Sequence, residues 1–464
     1  MTSPTVVLAS GNDARSALGR ISGFFVYLFE KLMPDPYVFA LILTVTTAVL
    51  AYTLTPATFG TGIALGWYDG VFNILTFACQ VVLMLVAGHS LASSLPIHSA
   101  LEKIASLAKT PRAAVSLTII VSMIACWVHW GFGLVTAALL AREIAKRVRL
   151  DFGWLIAAAY TGHVVAVEGM SGTVVLAQAT PGSVLNIVEK VTGHGLPLTE
   201  TVFARFTLVP VLALFVLLPL IFRYTEPALG ESIAADADRL RAEDRPIQVL
   251  DKGASVAVRL DNAWILSLLL ALGGAAALVQ HWRHTRFALD INSVILVFLL
   301  LGVLFHWRPI RYIEAVKHAA RVTGPLILQY PLYGGIMGIM TATGLAGVMA
   351  RVFLKFSTAA TLPFWTYLSS LIITFFVPSG GGHWAVQGPF ILPAARDLHA
   401  SMAGTTMAVA MGESVANMIQ PFFALPVLAI AGIGMRRMMG FMAITFVVSF
   451  IAFGLSLLLL VPGN

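Results

Sequence analysis

Residues Phe375–Pro393 read FFVPSGGGHWAVQGPFILP. An apolar run is interrupted by Pro378-Ser379-Gly380-Gly381-Gly382 and then resumes. Because proline and glycine are the weakest helix formers, one continuous helix is disfavoured here. The stretch predicts two short apolar helices that meet at irregular backbone inside a membrane. Such backbone is tolerated there only where protein or a water-filled cavity satisfies its polar groups, and in secondary transporters it marks the substrate site.

The composition indicates the class of protein. Of 464 residues, 58% are hydrophobic and 11% are charged. An ordinary soluble domain carries about 25% charged residues, so we predict an all-α polytopic membrane protein embedded in a lipid bilayer. The net charge of +7 is modest and the basic residues are scattered, which fits headgroups and cytoplasmic loops rather than nucleic-acid binding. Cys79 and Cys126 lie in apolar runs, so neither a disulfide nor a metal site is expected.

A helix needs roughly 20 apolar residues to span a hydrocarbon core of ~30 Å. The segments that meet or approach this length are Tyr37–Leu54, Val71–Ser90, Ala113–Val128, Leu155–Val167, Phe203–Phe222, Ala263–Val279, Ile291–His306, Gly324–Thr341, Phe364–Val377, Thr405–Ala431 and Phe441–Val461. Two shorter pieces, Phe132–Ala141 and Trp384–Ala395, lie between them. We therefore predict about ten to twelve segments that cross or enter the membrane.

The chain divides around one hydrophilic stretch. Residues 223–261 are predicted as a linker with a short surface helix, between a first transmembrane repeat, residues 37–222, and a second, residues 262–464. Residues 1–36 lack the cleavage pattern of a signal peptide. Because Arg15–Lys31 is amphipathic, we expect this N-terminal segment to lie in the membrane interface, with an ordinary charged connection as the alternative.

The two halves share a pattern of interruptions. In each, an apolar stretch with a glycine-containing break, residues 122–147 and 371–398, precedes a second interrupted apolar segment, residues 153–182 and 404–432. Paired breaks at corresponding positions indicate an internal repeat with its binding site at the repeat interface.

The first candidates for substrate binding lie at the second-half break: Ser379, Gly380, Gly381, Gly382, His383 and, close behind, Gln387. Glycine lets a ligand approach the main chain closely. If a half-helix begins just after the glycines, its N-terminus presents positive partial charge to a small carboxylate. The alternative is a tight turn that binds nothing, with His383 anchoring the turn rather than contacting substrate or carrying a proton.

The first half supplies matching candidates: Gly131, Gly133, Ser171, Gly172 and Thr173. The break around His129 is less polar than its counterpart. Gly131 and Gly133 either contact substrate or only permit close helix packing. For His129, an anchoring role is favoured over a coupling role.

Polar side chains inside apolar segments are the candidates for a coupling ion or proton: Glu413, Asn417, Gln420, Glu168 and His163. Glu413 and Asn417 are four residues apart and share one helix face. Such groups are expensive in a membrane unless they face a cavity, where they can coordinate a cation or carry a proton. The alternatives are an interhelical hydrogen-bond network and, for Glu168, a side chain that reaches water at a helix break.

Enzymatic signatures are missing from the sequence. It contains no HExxH zinc motif, no G-x-S-x-G elbow and no P-loop. We therefore predict neither an enzyme nor an ATP-driven pump, and no cofactor beyond a coupling H⁺ or Na⁺.

Several stretches closely resemble the bacterial short-chain fatty acid transporter family of the AtoE type: Val377–Ala395, Met411–Gly434, Trp130–Val135, Ser171–Gly182 and Leu32–Thr44. The resemblance covers nearly the whole chain. It implies a multi-pass inner-membrane permease for small monocarboxylates such as acetoacetate and butyrate. Kinship with a wider ion-transporter superfamily implies two inverted repeats, re-entrant hairpins and broken helices, a scaffold domain and a mobile transport domain with an elevator-like motion.

The chain departs from the family pattern at Gly162–Met170, where His163 and Glu168 stand. A buried acid near the site disfavours a second anion unless it is protonated, so the substrate and the coupling ion stay open. The leading hypothesis is a secondary active transporter, coupled to protons or sodium, with Trp130, Trp384 and Phe132 around the substrate tail. The alternatives are a passive monocarboxylate channel and a permease for a different small anion. A homodimer is left open.

Overall fold

The computed structural model describes residues 5–7, 17–32, 34–183, 185–227, 232–243, 255–285, 291–321 and 323–462. Most of these residues are α-helical. The helices before the linker are α1 Ala17–Leu32, α2 Pro36–Leu54, α3 Leu65–Asn73, α4 Leu75–Ala92, α5 Leu95–Ala105, α6 Pro111–Val128, α7 Trp130–Ala145, α8 Phe152–Thr161, α9 Thr173–Ala179, α10 Ile187–Thr192 and α11 Arg205–Phe222. A π-helical turn, Phe59–Ala64, precedes α3, and a 3₁₀ turn, Gly162–Val165, follows α8.

The linker and the second half contain the remaining helices: α12 Ala237–Glu243, α13 Val256–Asp261, α14 Trp264–Thr285, α15 Ile291–His306, α16 Pro309–Ala320, α17 Gly324–Thr343, α18 Leu345–Leu354, α19 Leu362–Phe376, α20 Gly380–Asp397, α21 Met402–Ala416, α22 Ala424–Ala431 and α23 Met435–Leu459. Two short strands, β1 Thr5–Val7 and β2 Ile233–Ala235, pair antiparallel with Val6 opposite Ala234.

The apolar helices confirm a multi-pass membrane protein. Six described segments are long and apolar enough to span a bilayer: Tyr37–Leu54, Phe59–Ala92, Pro111–Val128, Arg205–Phe222, Trp264–His284 and Met435–Leu459. Shorter apolar helices cover Phe152–Val165, Asn292–His306 and Leu362–Phe376. The larger number of ten to twelve segments stays a prediction, because the broken segments yield helices too short to cross alone.

The linker contains more regular structure than the sequence indicated, and the N-terminal segment contains the strand β1 in addition to the amphipathic helix α1. The linker contains a strand and the helices α12 and α13, where one short helix was expected; residues 228–231 and 244–254 lie outside the described part. Helix α1 packs against α23, and a Cβ built at Gly440 of α23 would lie 2.3 Å from the Val26 Cα. This side of α1 therefore contacts protein.

Each of the four interruptions expected from the sequence is present. His129 alone separates α6 from α7, and residues 377–379 separate α19 from α20. Helices α8 and α9 are separated by the 3₁₀ turn and residues 166–172, and α21 and α22 by residues 417–423. Apolar segments with the same pattern of breaks thus occur on both sides of the linker.

Helices α3 and α17 cross through glycines on both helices. A Cβ at Gly70 would lie 2.2 Å from the Gly334 carbonyl oxygen, and one at Gly338 would lie 2.0 Å from the Gly66 carbonyl oxygen. Small residues at i and i+4 let two helix backbones approach closely in a membrane. The crossing therefore depends on the absence of side chains.

Replacing Gly338 by alanine is expected to destabilise the protein by about 1–3 kcal/mol, since the new methyl group meets rigid backbone. Thermal unfolding in detergent measures the effect as a lower apparent melting temperature. Gly273→Ala in α14 is the matched control, because a Cβ there has no atom within 4 Å. Equal melting temperatures for the two variants would contradict the packing argument.

Candidate functional site

A cavity of about 400 Å³ lies where the helix breaks converge. Both halves of the chain line it. The lining residues are Phe77, His129, Trp130, His163, Ala166, Val167, Ser171, Gly172, Thr173 and Leu176 from the first half and Ser379, Gly380, Gly381, Glu413 and Phe423 from the second. The structure thus brings together eight of the residues singled out from the sequence as substrate or coupling candidates: Ser171, Gly172, Thr173, Ser379, Gly380, Gly381, Glu413 and His163.

The N-terminus of α20 forms one wall of this cavity. Ser379, with φ −150° and ψ 114°, is the N-cap residue, and Gly380 is the first helical residue. The three glycines therefore form the first turn of the helix rather than a loop before it. The first N–H groups of a helix have no intrahelical acceptor, and within the described chain no side chain caps this end. This end thus presents backbone donors and positive partial charge to the cavity.

Gly380 and Gly381 leave space in front of these donors. A Cβ built at Gly380 would be tight against Thr173 Cβ at 3.3 Å and would lie 3.6 Å from Glu413 Oε1. A Cβ at Gly381 would meet only Thr173 Cγ2 at 3.4 Å and Leu185 Cδ1 at 3.5 Å, which are ordinary contacts. A ligand can therefore approach the main chain between α20 and Thr173.

The first-half break is built by side-chain caps. His129 is the N-cap of α7, and its Nδ1 accepts hydrogen bonds from the backbone N–H groups of Gly131 at 3.2 Å and Phe132 at 3.3 Å. Ser171 Oγ accepts from the Trp130 backbone N–H at 3.0 Å. His129 therefore anchors the break, as favoured from the sequence, and also lines the cavity.

Three of the predicted substrate glycines do not line the cavity. A Cβ at Gly131 would lie 2.1 Å from Met84 Sδ, and one at Gly133 would lie 2.4 Å from the Cys126 backbone nitrogen. At Gly382 it would lie 2.5 Å from Met337 Cε. The structure thus gives these glycines a packing role, the alternative considered for Gly131 and Gly133.

His383 and Gln387 also point away from the cavity. His383 Nε2 lies 2.6 Å from Gln387 Oε1, and His383 Nδ1 lies 3.3 Å from Thr374 Oγ1. Gln387 Nε2 donates to Ser369 Oγ at 2.8 Å. These fully buried side chains join α20 to α19, which holds the helix start in place.

The five coupling candidates share an unusual property. All are at most 1% exposed, and each carries at least one buried polar atom without a hydrogen-bond partner in the described part of the chain: His163 Nδ1 and Nε2, Glu168 Oε1, Glu413 Oε2, Asn417 Nδ2 and Oδ1, and Gln420 Nε2. Buried polar atoms are normally paired. The unpartnered atoms of these five side chains, the buried polar cluster, are therefore costly to the fold, and they are groups that a bound proton or cation can contact.

The cluster joins the two broken segments. Ser414 Oγ donates to Glu168 Oε2 at 2.9 Å, and the Tyr160 hydroxyl donates to the Asn417 carbonyl oxygen at 2.7 Å. Gln420 Oε1 accepts from the Phe422 backbone N–H. Glu413 and His163 reach the cavity, whereas Glu168, Asn417 and Gln420 lie behind its wall.

The apolar wall differs from the sequence expectation. Trp130 lines the cavity, but Trp384 donates its indole N–H to the Leu185 carbonyl oxygen and, like Phe132, is not a lining residue. In their place stand Phe77, whose ring centroid is 6.3 Å from that of Trp130, and Phe423, at 5.5 Å. Phe423 is the last residue of the break after α21, which is a usable sequence signal, whereas Phe77 lies inside the uninterrupted helix α4 and gave none.

Comparison with known proteins gives one consistent result. A family model described as short chain fatty acid transporter matches residues 17–460. The chain is 41% identical over 425 residues to a protein of Escherichia coli K12 named "Putative short-chain fatty acid transporter", covering 91% of this chain and 96% of that protein. A protein of the same name from Haemophilus influenzae is 37% identical over 428 residues, with the same coverage.

Two solved structures are similar at a lower level. The YdaH transporter of Alcanivorax borkumensis is 18% identical with a TM-score of 0.41, and the MtrF efflux pump of Neisseria gonorrhoeae is 16% identical with a TM-score of 0.35. Each comparison covers 94% of this chain and 97% of the other.

Proposed function

The chain belongs to the short-chain fatty acid transporter family, and on that premise we propose that it takes up small monocarboxylates such as butyrate or acetoacetate by secondary active transport. Family membership makes it a transporter rather than an enzyme and fits a multi-pass protein of the bacterial inner membrane. The observation that carries the proposal is the cavity, which is lined both by a helix N-terminus and by aromatic rings.

The polar and the aromatic parts of the cavity lining suit the two ends of a short fatty acid. The carboxylate accepts hydrogen bonds from the first backbone N–H groups of α20 and from the Thr173 hydroxyl, since helix N-termini bind anions. The alkyl end lies against Phe77, Trp130 and Phe423, where burial of each CH₂ group contributes about 0.8 kcal/mol. The cavity volume of about 400 Å³ lies at the lower end of the range for organic ligand sites and accommodates a short monocarboxylate.

Alternating access is the transport mode that we propose. Lining residues come from both sequence halves, and paired helix breaks are found where inverted repeats meet in transporters. We assign the broken segments α6–α9 and α19–α22 to a mobile transport domain and the glycine-packed pair α3 and α17 to a scaffold. In an elevator-like motion, the transport domain then carries the cavity past the scaffold.

The driving force in this proposal is a proton or sodium gradient acting through the buried polar cluster. Glu168, Glu413 and Asn417 offer unpartnered oxygen atoms at 0–1% exposure. Carboxylate and amide oxygens are hard ligands suited to a small cation, and carboxylates also accept a proton.

Uptake of labelled butyrate and acetoacetate into proteoliposomes tests the function. Accumulation above the outside concentration under an imposed pH or Na⁺ gradient is expected. If the label only equilibrates, the protein is a passive facilitator; if neither acid enters faster than in empty vesicles while another small anion does, the substrate class is wrong.

Replacing Thr173 by valine is expected to raise the KM for the anion about 10- to 100-fold, because a hydrogen bond to a charged group contributes about 1.5–3 kcal/mol. Valine keeps the shape of the side chain and removes only the hydroxyl. Thr180→Val is the control, because Thr180 lies at the other end of α9 and outside the cavity lining, and its KM should match that of the wild type. An unchanged KM in Thr173→Val would remove this hydroxyl from the anion site.

A further inference from the structure

Glu413 faces the same helix end as the proposed carboxylate site. It lines the cavity together with Ser379 and Gly380, and its Oε1 lies 3.6 Å from the position of a Cβ on Gly380. Glu413 is 1% exposed, and its Oε2 has no hydrogen-bond partner in the described part of the chain. Glu413 and a bound anion would therefore occupy adjacent positions at the start of α20.

No fixed positive charge stands beside Glu413 in the cavity that the described residues form. None of the lining residues is Lys or Arg. The elements packed against α21 contribute His383 of α20, Tyr367 of α19 and His163 of the 3₁₀ turn, and His129, Glu168 and Tyr160 lie in the neighbouring first-half segments. The charged groups on the helices packed against α21 are at the helix ends: Arg396 pairs with Asp397 at the end of α20, and Arg437 pairs with Asp151 at the start of α23, next to the exposed Arg436. His383 is held in the contact with Gln387 and Thr374, and Glu168 adds a second acidic group through its bond from Ser414.

We propose that the Glu413 carboxylate and the substrate anion exclude each other at the N-terminus of α20, so that Glu413 takes up a proton before the anion binds. This inference rests on the proposed monocarboxylate transport. When Glu413 is protonated, its carboxyl group donates a hydrogen bond either to the bound anion or to an acceptor atom of the buried polar cluster. Without the proton, the Glu413 carboxylate takes the place of the anion at the helix end and keeps the cavity closed to it.

The consequence for transport is a fixed stoichiometry. One proton enters on a Glu413 oxygen, one monocarboxylate enters beside it, and the loaded site gains no net charge. On the opposite side the anion leaves first, and the proton then dissociates from the same oxygen. Uptake is therefore electroneutral, and the apparent affinity for the anion falls by up to about tenfold for each pH unit over which Glu413 loses its proton.

Glu413→Gln separates binding from coupling. Glutamine keeps the length and a hydrogen-bond donor but stays neutral, so labelled butyrate exchange between equal concentrations should persist in proteoliposomes, with the same KM across about pH 6 to 8. Accumulation driven by a pH gradient should be lost. Glu102→Gln removes an exposed carboxyl outside the cavity and should behave as the wild type.

The wild type provides a second measurement that does not depend on folding of the variant. An entrapped pH dye should report one proton per labelled butyrate, with no change when a membrane potential is imposed. The inference is overturned if Glu413→Gln still accumulates butyrate under a pH gradient, or if a folded Glu413→Gln protein no longer exchanges it. It is also overturned if Na⁺ drives wild-type uptake with no proton flux. The Na⁺ result would leave monocarboxylate transport intact, whereas no wild-type uptake of any monocarboxylate would instead remove the function on which the inference rests.

Discussion

Replacing Gly381 by leucine is expected to abolish uptake of short monocarboxylates while the protein still folds. Gly381 stands in the first turn of α20, and the space beside it is open apart from ordinary contacts to Thr173 and Leu185. A leucine side chain would fill the approach to the backbone N–H groups that hold the carboxylate. We expect a fall of at least about 100-fold in the uptake rate at low substrate, equivalent to about 2.8 kcal/mol of lost binding.

A graded series makes this test specific. Gly381→Ala adds one methyl group at 3.4–3.5 Å from its neighbours, so the protein should fold normally and retain part of its uptake. Gly273→Leu, at a glycine of α14 with no atom within 4 Å of its Cβ position, controls for the added apolar bulk and should transport at the wild-type rate. Normal uptake by a folded Gly381→Leu protein would place the carboxylate elsewhere.

The helix breaks were predictable from the sequence because their causes are local. Proline, serine and glycine at 378–382 oppose helix continuity through backbone properties that need no tertiary contact. The start of α20 at Gly380 was displaced by three residues from the expected position. Three glycines can enter a helix when packing compensates their cost, and here His383 and Gln387 behind them bond to α19.

Side-chain direction was harder to predict than the breaks. His383 and Gln387 follow the glycines by only a few residues, yet the 3.6-residue turn directs them to α19 instead of the cavity. Phe77 is the opposite case, a cavity residue that the sequence did not suggest. Helix α4 is apolar all round, so its sequence does not indicate which face lines a cavity formed with distant segments. Such residues depend on long-range packing, which one sequence does not contain.

Asp151 shows how a structural residue escaped notice for the same reason. In the sequence it is one acidic residue in a connection after a basic cluster. In the structure its side chain is 0% exposed and joins three elements. Its Oδ1 accepts from the Trp154 backbone N–H at 2.8 Å to cap α8, and its Oδ2 accepts from the Ile233 backbone N–H of β2 at 2.9 Å and from Arg437 of α23.

Replacing Asp151 by alanine is therefore expected to destabilise the protein by about 3–5 kcal/mol, because it removes a buried carboxylate that accepts hydrogen bonds from the Arg437 guanidinium and from two backbone N–H groups. Asp151→Asn keeps a side-chain acceptor for α8 and removes only the charge, so its loss should be smaller. Apparent melting temperature in detergent measures both variants. Asp238→Ala breaks the exposed pair with Arg241 and should leave the melting temperature unchanged, since exposed pairs contribute little. Equal melting temperatures for Asp151→Ala and Asp238→Ala would show that the contacts of Asp151 with α8, β2 and α23 do not stabilise the fold. Equal melting temperatures for Asp151→Ala and Asp151→Asn would assign the stabilisation to the charge of Asp151 rather than to its cap on α8.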